Sequence, residues 1–221
     1  MRDFSPHFDL LPPPQQRLWP ELAQVPRHFV LYGGTALALR LGHRVSVDFD
    51  FFSGKSFDPQ KLLSDLPPLA GAKVLQNVSQ TLTVAVDRGG TVKLSFFGGL
   101  PLGRVGQPDQ TADGVMFVAS LLDLAGTKAA VVTQRAEAKD YIDLLTLADH
   151  GISVGQAMAA ARALYGDQYN PVLTLKSLTY FGDGDLCKLT PEQKAKLIYY
   201  AGQQSVELPS LQRISASLSV A

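Results

Sequence analysis

Residues 30–53, VLYGGTALALRLGHRVSVDFDFFS, contain the pattern that decides the fold expected for this chain. The apolar run over 29–32 is followed by a glycine pair and predicts a buried strand. Helix-forming residues over 36–41 predict a short helix, and the alternating residues over 45–52 predict a second strand. This order of strand, helix and strand indicates a domain that mixes α and β structure.

Three residues, Gly33, Gly34 and Thr35, form the turn between the first strand and the helix. Glycines permit positive φ and close backbone approach, and Thr35 is expected to cap the helix N-terminus. Because a helix N-terminus offers unpaired N–H groups and a partial positive charge, the turn is a candidate phosphate site. The alternative interpretation is an ordinary strand–helix turn that binds nothing.

The second strand places three polar residues, Ser46, Asp48 and Asp50, on one face. Two carboxylates about 7 Å apart along a strand repel each other unless a cation lies between them, and Mg²⁺ prefers such oxygen ligands. The alternative is a solvated polar face on an edge strand, but the phenylalanines of the strand argue for burial. The residues expected on the opposite face are Val45, Val47, Phe49 and Phe51.

A second charged motif follows in the segment LAGTKAAVVTQRAEAKDYIDLLTL, residues 124–147. Lys128 stands in an apolar stretch, so it must extend to solvent or meet an anion; the alternative is an exposed helix lysine. Asp140 and Asp143 share a helix face and could pair with Arg135 or Lys139, or with Arg44 across the cleft. A structural ion-pair role and a catalytic role for these aspartates both remain open.

Together the two segments resemble the nucleotidyltransferase superfamily and, within it, the AbiEii-like toxins of the type IV toxin–antitoxin class. The resemblance runs from about residue 28 to 150. It rests on Gly33-Gly34-Thr35, on Arg44-x-Ser46-x-Asp48-x-Asp50, and on Lys128, Arg135 and Lys139-Asp140-x-x-Asp143.

This resemblance implies a Mg²⁺-dependent enzyme, with Mn²⁺ as the alternative ion, that moves a nucleoside monophosphate from a nucleoside triphosphate to an acceptor hydroxyl. It also implies the 3′ end of tRNA as an acceptor, growth inhibition as the outcome, and a cognate antitoxin as a partner. The catalytic residues implied are Asp48, Asp50, Lys128 and Asp140, with Asp48 and Asp50 as metal ligands. The nucleotide-binding residues implied are Gly33, Gly34, Thr35, Arg44, Ser46 and Lys128.

One position departs from the superfamily, which usually completes its metal site with a third carboxylate on a neighbouring strand. The corresponding strand is predicted to be TVKLSFF, residues 91–97, and it offers Ser95 in that place. A hydroxyl is a weaker Mg²⁺ ligand and cannot act as a base near neutral pH. Three accounts remain open: one tightly held metal ion, a base supplied by Asp140, or loss of transfer with nucleotide binding retained.

Two other functions remain as alternatives. The first is transfer of a nucleotide to a small molecule, as in antibiotic modification, because that chemistry uses the same glycine turn and paired aspartates. The second is a non-catalytic nucleotide-binding scaffold, which the serine at position 95 favours.

Composition excludes several other classes. The 221 residues carry 20 Lys and Arg against 20 Asp and Glu, which argues against a protein that coats nucleic acid with a broad basic surface. Cys187 is the single cysteine, so neither a disulfide framework nor a cysteine-rich zinc site is expected. With no apolar leader and no run of membrane-spanning length in the sequence, we expect a cytoplasmic protein.

The expected organisation is an N-terminal arm over 1–28, a nucleotidyltransferase-like α/β lobe over 29–115 and a helical lobe over 116–221. The fold class is α+β: a minimal mixed sheet with helices, followed by an α-helical C-terminal lobe, with nucleotide in the cleft between them. The arm is expected to be irregular and to lead to a short helix over 15–25. We predict a hairpin over 81–97, a helix that starts with a capping box at Thr190, and a last helix over 208–218.

Overall fold

In the computed structural model, residues 3–205 and 207–220 are described, and the chain forms two compact units. The sheet unit comprises residues up to 103, residues 107–120 and the segment from 215 onward. The helical unit comprises residues 104–106 and 121–214. The mixed α+β class predicted from the sequence is confirmed, since one unit is built on a mixed sheet and the other on helices.

Within the described residues, the sheet has eight strands in the order β1-β7-β8-β2-β3-β6-β5-β4. The two strands around β3 run in opposite senses, since β3 pairs antiparallel with β2 and parallel with β6. This central place gives β3 two partners and buries its apolar face. The strands are β1 (Asp3–Phe4), β2 (Val30–Tyr32), β3 (Asp48–Phe52), β4 (Lys73–Val78), β5 (Thr81–Asp87), β6 (Thr91–Phe97), β7 (Asp109–Thr111) and β8 (Phe117–Val118).

Helices of the sheet unit are α1 (Pro13–Leu18), α2 (Gly33–Leu41) and α3 (Pro59–Asp65). The helix predicted in the N-terminal arm is α1, continued by a 3₁₀ helix over Trp19–Gln24. The start of the chain is not an irregular arm. Its strand β1 pairs in parallel with β7 and so extends the sheet.

The core of the sheet unit contains the apolar face of β3. Phe49 and Phe51 are fully buried, and Phe51 stacks on Phe96 of β6 with ring centroids 5.2 Å apart. The predicted hairpin is confirmed: β5 and β6 are antiparallel from Thr81↔Phe97 to Asp87↔Thr91. Burying large aromatic side chains between neighbouring strands supplies much of the stabilisation of such a layer.

The second predicted strand is shorter than expected, because β3 begins at Asp48 rather than at residue 45. Val45 and Val47 are 53% and 59% exposed, so placing them on the buried face was wrong. The pairing of β3 with β6 begins at Asp48↔Lys93. Residues 45–47 precede this first pair, so they are not hydrogen-bonded into the sheet through β6.

The helical unit contains α4 (Leu121–Val131), α5 (Ala138–Asp149), α6 (Val154–Tyr165), α7 (Pro171–Ser177) and α8 (Pro191–Gly202). The predicted capping box at the start of α8 is confirmed, since Thr190 and Gln193 exchange hydrogen bonds. Helices α4 and α6 pack closely, since a Cβ atom on Gly126 would lie 2.9 Å from the backbone of Ala160.

No helix forms over 208–218, so that prediction was wrong. Instead, the Ile214 N–H donates to the carbonyl of Arg104 in the helical unit, and the Leu218 N–H donates to that of Leu102 in the sheet unit. Pro209 and the serines of this segment disfavour a helix, and main-chain bonds to distant loops replace the missing helical ones. A scan of the described helices finds none long and apolar enough to cross a membrane.

Candidate active site

The glycine turn brings the start of α2 into contact with β3. Gly33 has φ of +74°, and a Cβ atom built on it would lie 2.7 Å from Oδ2 of Asp50. Both the left-handed backbone and the lack of space exclude other residues at low strain. The main chain at Gly33 therefore lies directly against one of the predicted metal-binding carboxylates.

Gly34 makes the same kind of approach to two other predicted site residues. A Cβ atom on Gly34 would lie 2.7 Å from Nη2 of Arg44 and 2.9 Å from Oγ of Ser46. The loop between α2 and β3 thus folds back over the helix N-terminus and brings a guanidinium and a hydroxyl to it. Together with the N–H groups of the first turn of a nine-residue helix, which have no partners within the helix, they form a small cationic cradle.

Thr35 has a different position from the one predicted. Helix α2 begins at Gly33 with Tyr32 as its N-cap, so Thr35 lies inside the helix and the capping prediction was wrong. The Thr35 side chain is buried, and its hydroxyl donates to the main-chain carbonyl of Asp48. This bond ties the first turn of the helix to the start of the carboxylate strand. Its role in nucleotide binding stays a prediction.

The two aspartates of β3 each face a polar residue of β6 across the parallel ladder. Asp48 is in register with Lys93, and Asp50 is in register with Ser95. Lys93 Nζ lies 3.0 Å from Oδ2 of Asp48, and both side chains are partly exposed. Sequence reasoning missed Lys93, although alternation along the predicted strand places it on the same face as Ser95.

Ser95 is buried beside Asp50, at the position for which the resemblance implies an acid. Within residues 3–205 and 207–220, no group of three or more His, Cys, Asp or Glu could hold a metal ion. The donor set on this face is therefore two carboxylates and a hydroxyl. That set fits one hard divalent ion, which would keep water and phosphate as its other ligands.

The helical unit contains the second charged cluster. Lys128 of α4 is 5% exposed, and its Nζ lies 2.5 Å from Oδ1 of Asp140 and 2.7 Å from Oδ2 of Asp143. Both aspartates of α5 are fully buried. Lys128 is thus neither an exposed lysine nor one that extends to solvent, because its ammonium lies between two buried carboxylates.

Arg135 completes this cluster. Its Nε donates to Oδ2 of Asp140 at 2.8 Å, and its Nη2 donates to Oδ1 at 3.2 Å. Burial opposes ionisation of Asp140, but the hydrogen bonds and charges of Arg135 and Lys128 outweigh it and hold the pKa of Asp140 below its usual value. Two cations balance two carboxylates, and the cluster joins α4 to α5.

The predicted residues therefore fall into two groups, one in each unit. In the sheet unit, the structure brings together Gly33, Gly34, Arg44, Ser46 and Asp50, with Asp48 one pleat away. In the helical unit, it brings together Lys128, Arg135, Asp140 and Asp143.

Two solved structures share this arrangement of elements. MenT4, the nucleotidyltransferase toxin Rv2826c from Mycobacterium tuberculosis H37Rv, superimposes with a TM-score of 0.60 at 18% identity, over 86% of this chain and 82% of its own. A crystal structure from H. pylori, provisionally described as a nucleotidyltransferase, gives a TM-score of 0.51 at 18% identity, over 86% of this chain and 90% of its own. These likenesses define the fold as that of the nucleotidyltransferases.

Sequence comparisons identify the family. An uncharacterized protein of Aquifex aeolicus (strain VF5) is 34% identical over 159 residues, which span 70% of this chain and 74% of the relative. The family model described as nucleotidyl transferase AbiEii toxin, type IV TA system, matches residues 17–198. The chain belongs to this AbiEii family of nucleotidyltransferase toxins.

Proposed function

We propose that this chain transfers a nucleoside monophosphate from a nucleoside triphosphate to an acceptor hydroxyl, with a divalent metal ion held on β3. The observation that carries the proposal is the contact between the carboxylate strand and the glycine turn. There Asp50 lies against Gly33, and Arg44 and Ser46 lie against Gly34. A metal-binding face beside an anion-binding helix start is the arrangement that a metal–triphosphate needs.

Asp48 and Asp50 would hold the metal, which we propose is Mg²⁺, with Mn²⁺ as the alternative. When bound, such an ion supplies charge neutralisation at the phosphates and polarises a phosphoryl oxygen. The N–H groups at the start of α2, the Arg44 guanidinium and the Ser46 hydroxyl would bind phosphate oxygens. As the resemblance implies, Lys128 would be a further phosphate contact, and Asp140, which holds the Lys128 ammonium, would position it.

In the transfer step, the acceptor oxygen forms a bond to the α-phosphorus while the bond to the bridging oxygen of the β-phosphate breaks. Pyrophosphate leaves with that electron pair, and the acceptor proton passes to water. Positioning and charge neutralisation supply most of the acceleration.

Of the three accounts that the serine at position 95 left open, the contacts of Asp140 disfavour the one in which Asp140 supplies the base. Asp140 is fully buried and accepts hydrogen bonds from two cations, which lower its pKa. A carboxylate held in this way is a weak base for an acceptor proton.

For the biological role, we propose RNA as the acceptor, specifically the 3′ end of tRNA, with growth inhibition as the result. Membership of a type IV toxin–antitoxin family supports this role and supports a cognate antitoxin as partner. The chain also shares its fold with MenT4, a nucleotidyltransferase toxin.

Label transfer tests the proposal. The full chain is incubated with Mg²⁺, total tRNA and each of the four α-labelled nucleoside triphosphates in turn. Asp48→Asn is the test variant, and Asp65→Asn, an exposed aspartate at the end of α3, is the matched control. We expect labelled RNA with the wild type and the control, and no label with Asp48→Asn.

Two other outcomes would contradict the proposal in different ways. Label on a small-molecule acceptor but not on RNA would replace the acceptor and keep the chemistry. Nucleotide binding without transfer to any acceptor would indicate the non-catalytic scaffold.

A further inference from the structure

We propose that Lys93 is a cationic component of the active site that takes the place of a second divalent ion. In the free protein its ammonium neutralises Asp48, and on binding of a metal–triphosphate it moves to the phosphates. The site then works with one metal ion and one lysine. This inference rests on the proposed function and deepens it, since it states how the site handles a triphosphate with two carboxylates.

The sheet register carries the first step of the argument. Directly paired residues of neighbouring strands point to the same face, so Asp48 and Lys93 are neighbours on one face, and Asp50 and Ser95 are neighbours on it two residues along. Strand β6 thus presents an ammonium and a hydroxyl to the carboxylates of β3. It presents no carboxylate there.

The distances and charges carry the second step. Lys93 Nζ lies 3.0 Å from Oδ2 of Asp48, a contact that a divalent ion at the same oxygen would have to displace. A second divalent ion on this face would meet the repulsion of that ammonium and would share only two carboxylates with the first. Asp48, Asp50 and Lys93 together carry a net charge of −1. One divalent ion already changes this charge to +1.

The third step is the exposure of the Lys93 and Asp48 side chains to solvent. The side chain of Lys93 is 40% exposed and that of Asp48 is 34% exposed, so ligand and metal can reach both. A lysine has a flexible four-carbon stem and a point charge, which suit a move from a carboxylate to a nearby phosphate. An ion pair this exposed contributes little to folding, so removing the lysine leaves the unit intact.

The test measures binding rather than activity. Mn²⁺ binding to the full chain is followed by electron paramagnetic resonance of the free ion, first without and then with inorganic triphosphate. For Lys93→Gln, we expect Mn²⁺ alone to bind roughly three- to tenfold more tightly, because a competing charge is gone. We expect Mn²⁺–triphosphate to bind about tenfold more weakly, because a phosphate contact is lost. The wild type is expected to take one Mn²⁺ per chain in both titrations.

The chain offers a matched control. Lys73 of β4 is in register with Ala85, which is in register with Lys93, so Lys73 lies in the same row two strands away, about 10 Å off. Lys73→Gln removes the same charge from the same face and is expected to change neither affinity. Lys93→Arg is expected to retain triphosphate binding. Thermal unfolding of each variant shows that it is folded.

Three results would overturn the inference. They are unchanged affinities in Lys93→Gln, equal effects in Lys73→Gln, and two bound Mn²⁺ per wild-type chain. A failure of the proposed function looks different, because Mn²⁺ binding would then be absent or would persist in Asp48→Asn whatever residue stands at position 93.

Discussion

The Arg44 guanidinium occupies the space beside Gly34 that a side chain at position 34 would fill. A Cβ atom built on Gly34 would lie 2.7 Å from Nη2 of Arg44. Because the guanidinium is at the end of a flexible chain, it could move aside, whereas the Ser46 hydroxyl, 2.9 Å from the same atom, has less freedom. A side chain at position 34 is therefore expected to disturb the cradle at the start of α2 more than the stability of the fold.

Gly34→Ala is expected to weaken triphosphate binding about tenfold while lowering the free energy of unfolding by only about 1 kcal/mol. The added methyl group displaces the two polar side chains that line the helix start. Titration calorimetry with inorganic triphosphate and Mg²⁺, beside urea unfolding, measures both quantities. Gly202→Ala is the control, because a Cβ atom there meets nothing within 4 Å. Equal triphosphate affinity in Gly34→Ala and wild type would contradict the cradle.

Lys128→Met is expected to lower the free energy of unfolding by about 3–5 kcal/mol, because it leaves two buried carboxylates facing each other. Urea unfolding measures this loss. The control is Lys196→Met, which removes a lysine from an exposed pair with Asp149 and should change stability by less than about 1 kcal/mol. If Lys128→Met were as stable as the control, the buried cluster would not be a structural element of the helical unit.

A double variant of this cluster distinguishes a structural role of Lys128 from a role in ligand binding. In Lys128→Met combined with Asp143→Leu, one buried charge of each sign is gone, and part of the lost stability is expected to return. If triphosphate binding stays impaired in this repaired variant, the lysine has a role in ligand binding as well as in folding. If binding returns with stability, its role is structural alone.

Stability is expected to fall at mildly acidic pH through His28. Its Nδ1 lies 2.9 Å from the Ser53 hydroxyl, and burial, with a smaller effect of the Lys55 charge, lowers the pKa of His28 below 6.5. The unfolded chain therefore takes up a proton first, so this contribution is complete above about pH 6.5 and is lost as pH falls through the lowered pKa. Urea midpoints at pH 7.5 and 5.5 for the wild type and His28→Asn measure it. An identical pH dependence in both would contradict the assignment.

Ser95→Asp is expected to make the stability of the sheet unit depend on metal. A third carboxylate, buried beside Asp50, should lower the free energy of unfolding by about 2–3 kcal/mol without metal. Mn²⁺ should then raise the melting temperature of this variant more than that of the wild type. Ser95→Asn has a similar size without the charge and is the control. Equal Mn²⁺ responses in the two variants would show that position 95 does not face the metal site.

Local patterns account for what could be predicted. The alternation around Asp48 and Asp50, the hairpin over 81–97 and the capping box at Thr190 depend on neighbours within a few residues. Each therefore leaves a signal in a short window of sequence. The segment over 208–218 was misplaced, because its hydrogen bonds go to remote loops. The exposed edge strand β4 and the short helix α7 were missed.

By itself, the sequence determined the residue types of the site and their order: a glycine turn, then paired carboxylates, then a lysine and two further aspartates. Only the tertiary structure decided which charges meet. Strand register places Lys93 against Asp48, and packing of α4 on α5 buries Lys128 between Asp140 and Asp143. The physical reason is that periodicity specifies the direction of a side chain within its own element. Its partner depends on how distant elements pair and pack, and no short window of sequence contains that information.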